Sequence, residues 1–136
     1  MRTFLFPALS IALLSAQEPL PMEAAARHLL TIAASAGFQG RVSCRDLDMS
    51  VALKKQGIST DPRSPIAWAA SRNQIEGFGA DRKLILCGER ALLQEGAAIA
   101  LVSEGGRLVI YLNAANAAQA SVPVPESILR LARRVG

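Results

Sequence analysis

Residues 83–113 read KLILCGERALLQEGAAIALVSEGGRLVIYLN, and three apolar runs lie within them: Leu84–Cys87, Ala97–Val102 and Leu108–Leu112. The first and third are rich in Leu, Ile and Val, and all three are bounded by Gly, Glu or Asn. Short apolar runs between turn residues suit strands buried on both faces. Gly105-Gly106, between the second and third runs, marks a tight hairpin. Ala91–Gln94, closed by Gly96, reads as one turn of helix. The stretch is the middle of a sheet, and the rest of the chain must pack around it.

Downstream, Asn113–Ala120 is Ala-rich and helical in pattern. Val122-Pro123-Val124-Pro125 breaks the chain, and Glu126–Val135 is expected to form a last helix. Its apolar set Ile128, Leu129, Leu131, Ala132 and Val135 would face the sheet, leaving Arg130, Arg133 and Arg134 outside. Upstream, Glu23–Ala36 carries apolar residues at helical spacing and closes at Gly37. Gly40–Cys44 is a short strand, Asp46 an N-cap, and Leu47–Gln56 a helix stopped by Gly57. Ile58–Thr60 could add a short strand. Ser64-Pro65 looks like a cap followed by a first-turn proline, so Pro65 to about Gln74 is expected to be helical, with Trp68 as its packing anchor. Ile75–Arg82 holds two glycines without the spacing of a phosphate loop and reads as a flexible connection.

Alternation of strands and helices predicts an α/β fold. The architecture is a single-domain, mostly parallel sheet with helices on both faces and a C-terminal antiparallel hairpin. The domain is expected to span residues 22–136. Residues 1–16, MRTFLFPALSIALLSA, have the layout of a secretory signal peptide with cleavage after Ala16. Their apolar core is too short for a permanent span, so the mature chain is expected in the periplasm or outside the cell, without stable membrane insertion. The sequence is basic, with 15 Lys and Arg against 11 Asp and Glu. Aromatics make up only 4%, and the basic residues are scattered, which argues against a nucleic-acid partner.

Candidate chemistry is sparse. The only His, His28, sits on the first helix without companion ligands, and no metal or cofactor site is expected. No Ser or Cys has a base beside it in the pattern, so no catalytic residue is assigned. Asp46, Asp48, Glu89 and Glu95 are carboxylates that could converge in a hydrolase, although a cap and exposed turns explain them as well. Cys44 and Cys87 both end predicted strands. In a doubly wound order 2-1-3 those strands are neighbours, and an exported chain with an even number of cysteines favours a disulfide; two buried thiols are the alternative.

The C-terminal part resembles a known family. Its elements are Leu86-Cys87-Gly88, Gly96–Val102, the turn Gly105-Gly106-Arg107, Val109–Asn113 and Ile128-Leu129-Arg130-Leu131-Ala132. Over about residues 83–135 these resemble the YfiR-like periplasmic proteins. Gly96, Gly105, Gly106 and Asn113 are the structural positions of that motif. The chain departs from it in reading Tyr111-Leu112-Asn113 where the family has Ile-Asn-Leu, and in a shorter stretch between Gly40 and Arg82. The resemblance implies a periplasmic, non-enzymatic regulator, without cofactor, that binds a membrane signalling partner such as a diguanylate cyclase or another envelope sensor, in a redox-sensitive way. Val122–Val135 is also similar to the last segment of periplasmic substrate-binding proteins, which implies a small-molecule-binding module derived from one lobe. Regulator, ligand-binding module and carboxylate hydrolase therefore remain three expectations, and a homodimer is compatible with each.

Overall fold

The hairpin expected at Gly105-Gly106 is the axis of the sheet. A computed structural model describes residues 17–135, so the expected signal peptide lies outside the described residues. Strand β5 (Ile99–Glu104) pairs antiparallel with β6 (Arg107–Asn113), from Ile99↔Leu112 to Glu104↔Arg107. Gly105 and Gly106 both have positive φ, 60° and 78°, the geometry of a two-residue turn that only glycine-like residues adopt cheaply.

Along the chain the other elements are β1 (Gln17–Pro19), α1 (Met22–Ser35), β2 (Ser43–Cys44), α2 (Leu47–Lys55), β3 (Ile66–Trp68) and α3 (Arg72–Gly77). After β4 (Leu84–Cys87) comes a 3-10 turn, Arg90–Gln94; after β6 come α4 (Ala114–Ala118), α5 (Glu126–Leu131) and β7 (Arg133–Val135). The sheet order is β2-β3-β4-β5-β6-β7, with β1 on the edge of β5. All pairings are parallel except β5 with β6 and β1 with β5. The fold is α/β with a mostly parallel sheet, as the sequence predicts. Among the described residues no helix is long and apolar enough to cross a membrane.

Alternation along the strands divides the core in two. Ile66, Trp68, Leu84, Leu86, Ile99, Leu101, Ile110 and Leu112 face α1, α2 and Ile128 of α5. Ala67, Ile85, Cys87, Ala100, Val102 and Tyr111 face α3 and the 3-10 turn, through Ile75, Phe78, Leu92 and Leu93. Helices α2 and α3 thus join successive strands advancing the same way while covering opposite faces. Their crossovers have opposite hand, so one departs from the right-handed rule.

Several segments differ from expectation. The cap-like Ser64 does not open a helix: its hydroxyl accepts from the Ile66 N–H (3.2 Å) and donates to the Arg41 carbonyl (2.9 Å). That link starts β3, and Trp68 packs from a strand. The Ile75–Arg82 connection contains the end of α3, and Ile58–Thr60 forms no strand. The last helix stops at Leu131, because Ala132 is extended (φ −77°, ψ 143°), and Arg133–Val135 pairs with β6. Residues 17–19, outside the expected domain of residues 22–136, belong to the sheet.

Glu104 clasps both late additions to the sheet. Its carboxylate accepts from Gln17 Nε2 of β1 (2.8 Å), from the Tyr111 hydroxyl and from Arg133 Nη1 of β7 (3.5 Å). The Tyr111 hydroxyl in particular, with Gln17 and Arg133 after it, holds this carboxyl below its ordinary value of 4.5. A depressed carboxyl stabilises the fold above its unfolded pKa and loses that effect as pH falls through the folded one. Acidification below pH 4.5 is therefore expected to lower the protection of amides in β1 and β7, relative to their intrinsic exchange rates, before that of the central strands. Glu104→Ala should show the same pattern at neutral pH; unchanged exchange in both strands would contradict the clasp.

Candidate functional site

The carboxyl ends of parallel strands are where open α/β sheets carry their sites. Here β2, β3 and β4 end in Cys44-Arg45-Asp46, Trp68-Ala69-Ala70 and Cys87-Gly88-Glu89. The first and third ends share a device: Cys44 Sγ donates to the Asp46 carbonyl (3.4 Å), and Cys87 Sγ to the Glu89 carbonyl (3.2 Å). Asp46 caps α2 by accepting from Met49 N–H (2.9 Å) and also accepts from Gln74 Nε2 (3.2 Å). Gln74 Oε1 accepts in turn from Ala70 N–H (2.7 Å), and the Ser71 hydroxyl caps α3. These polar groups are engaged in building strand ends and caps.

The expected Cys44–Cys87 disulfide is corrected. Strand β3 lies between β2 and β4, with Cys44 opposite Trp68 and Trp68 opposite Leu86. Two strand spacings, about 9.5 Å, exceed the roughly 7 Å that a bridge tolerates. The thiols also pack on opposite faces of the sheet, and both are free. Burial pushes both thiols up, Cys87 to about 12, so neither is a ready thiolate nucleophile.

Beside this edge the sheet has a gap. Strand β4 pairs with β5 as far as Cys87↔Ala100, and β1 takes up the same edge at Pro19↔Val102. Leu101 lies between the two pairings. On the α1 face of the gap is a cleft of ≈ 300 Å³ lined by Leu20, Met22, Ala25, Trp68, Ala70 and Leu101; on the other is one of ≈ 340 Å³ lined by Gln17, Glu18, Arg90, Ala91 and Val102. Pro19, Gly88 and Glu89 line both. Trp68 is 3% exposed, and its indole N–H has no acceptor among the described residues. The sequence signals for this cleft were a lone Trp at a strand end and a Gly directly after Cys87. A helix over Pro65–Gln74 masks the first, because it takes Trp68 off the strand end where the structure places it.

The remaining expected residues are structural. Gly96 has φ 119°, and a Cβ there would meet Ile75 Cγ2 at 3.0 Å. Asn113 caps α4 through Asn116 N–H (3.0 Å) and donates to the Leu93 carbonyl (2.9 Å). Asp48 edges a groove between α1 and α2, Glu95 pairs with Arg72 (3.3 Å), and Asp46 is the cap described above. His28 lies half-buried on α1, its pKa lowered by burial and then by Arg27. Among the described residues no group of three or more His, Cys, Asp or Glu could hold a metal ion. A basic groove of ≈ 600 Å³ beside Arg82 and Lys83 has its cations engaged, Arg82 Nε by the Gln119 carbonyl and Lys83 Nζ by the Pro62 and Ser64 carbonyls.

No protein-family model, curated protein or solved structure matches this chain. What bears on its role is its own surface. Helix α2 buries Met49, Ala52 and Leu53 and turns Leu47 and Val51 outward, 75% and 47% exposed. With Pro21 and Met22 they form an open apolar groove rimmed by Glu23, Asp48 and Lys55.

Proposed function

We propose that this chain is an exported, non-enzymatic regulator that binds the periplasmic part of a membrane sensor. The observation that supports the reading most is the outward face of α2. Leu47 and Val51 stand four residues apart on one side of the helix, although the core needs neither. Contiguous apolar surface rimmed by charge is the character of a protein interaction site. The YfiR-like resemblance supplies the class of partner. The regulator has no redox switch between Cys44 and Cys87, because those thiols are two strands apart on opposite faces.

The test is site-directed photocrosslinking in membranes of the native host. A benzophenone amino acid at position 51 is expected to give one dominant adduct with an integral membrane protein. The same group at position 107, in the hairpin, should give none. Leu47→Lys is expected to reduce capture by at least tenfold with little change in stability, since the residue is exposed. Equal adducts from both positions, or capture indifferent to Leu47→Lys, would remove this face as the docking surface.

A further inference from the structure

We propose that the cleft beside Trp68 is a binding site for a small amphiphilic amine, its apolar body against the indole and its ammonium head at Glu89. The cleft stands at the carboxyl ends of β3 and β4, where this class of sheet binds ligands. Its ≈ 300 Å³ corresponds to roughly ten non-hydrogen atoms at the density of liquid water. The walls are Leu20, Met22, Ala25, Leu101 and Trp68, so a hydrocarbon or single ring is favoured within. Gly88 lines the cleft beside the indole: a Cβ there would stand 3.4 Å from two atoms of the Trp68 ring.

Charge at the mouth selects the head group. Glu89 lines both clefts and Glu18 lines the second; both are exposed, and neither makes an ion pair among the described residues. Arg90, the cation nearby, lies over the Tyr111 ring at 4.2 Å and acts on Glu104. The mouth thus offers one uncommitted carboxylate, Glu89, which attracts a cation and repels an anion.

Trp68 is the only Trp in the chain, so its emission reports this cleft alone. Titration at pH 7 with butyl- to heptylamine is expected to give a saturable emission change, each methylene tightening binding about threefold to fourfold. Hexylamine should bind about two- to fivefold tighter than hexanol, and hexanoate more weakly than either. Ala70→Leu, at the half-buried rim, should abolish the response. In Glu89→Gln hexanol should bind as before while the preference for amine disappears. A linear, unsaturable response in the native chain, or undiminished binding in Ala70→Leu, would overturn the site. Hexanoate binding as tightly as hexylamine would overturn its assignment to amines.

Discussion

Replacing Trp68 with alanine is expected to lower the unfolding free energy by about 3–5 kcal/mol. Trp68 ends the short strand β3, between Cys44 of β2 and Leu86 of β4, and is 3% exposed. Its ring fills the sheet face covered by α1, against a cluster that includes Ala25, Leu86 and Leu101. Truncation to a methyl would leave a void next to an existing cleft, and the sheet on either side, two and three residues long in pairing, cannot close over it. Trp68→Phe separates packing from polarity. It keeps most of the ring and removes an indole N–H that has no acceptor among the described residues, a group whose unpaired burial costs about 1–3 kcal/mol. Phenylalanine is therefore expected to cost less than about 1.5 kcal/mol. Urea unfolding followed by ellipticity measures both. Equal losses for Ala and Phe would mean that the indole N–H is satisfied and contributes to the fold.

The same residue shows where the sequence could be read and where it could not. Elements with enough length to express a period are legible. Helix α1 shows its apolar stripe over Met22–Ser35, and β4, β5 and β6 show continuous apolar runs closed by turn residues. Asp46 and Asn113 act as the caps their types suggest. Strand β3 is too short to alternate, and Ser64-Pro65 before it carries the chemistry of a helix start. Only the Arg41 carbonyl, 23 residues upstream, decides what Ser64 does. Likewise Ile128, Leu129, Leu131, Ala132 and Val135 fit a helical stripe, yet the partner strand β6 draws Arg133–Val135 into the sheet. Strand β1 is three exposed residues with a proline, a sequence without pattern, and its place is set by Glu104 and the edge of β5. Strand order is non-local in the same sense. Order 2-1-3 would make the ends at Cys44 and Cys87 neighbours; the sequential order separates them, and the gap at Leu101 lies where the pairing of β4 stops and that of β1 begins.

The two thiols lead to the second large effect, a loss of stability in alkali. Burial pushes the Cys87 thiol from 9.0 up to about 12, against a smaller opposing effect of its bond to the Glu89 carbonyl. In the unfolded chain the thiol ionises near 9, so above that pH the unfolded state binds fewer protons than the folded one. Stability then falls as pH rises. The stabilising difference is intact below pH 9 and is lost progressively toward 12, which amounts to about 2 kcal/mol between pH 9 and 11. Cys44, half-buried and raised chiefly by desolvation, adds to the slope in the same direction. Other groups contribute to alkaline unfolding, so the measurement is a comparison with Cys87→Ala, whose alkaline slope should be shallower by that amount. A disulfide has no proton to lose, and a bridged pair would give identical slopes together with stability that depends on reductant. The free, separated thiols predict the opposite on both counts: a slope that depends on Cys87, and unfolding midpoints indifferent to reductant at pH 7.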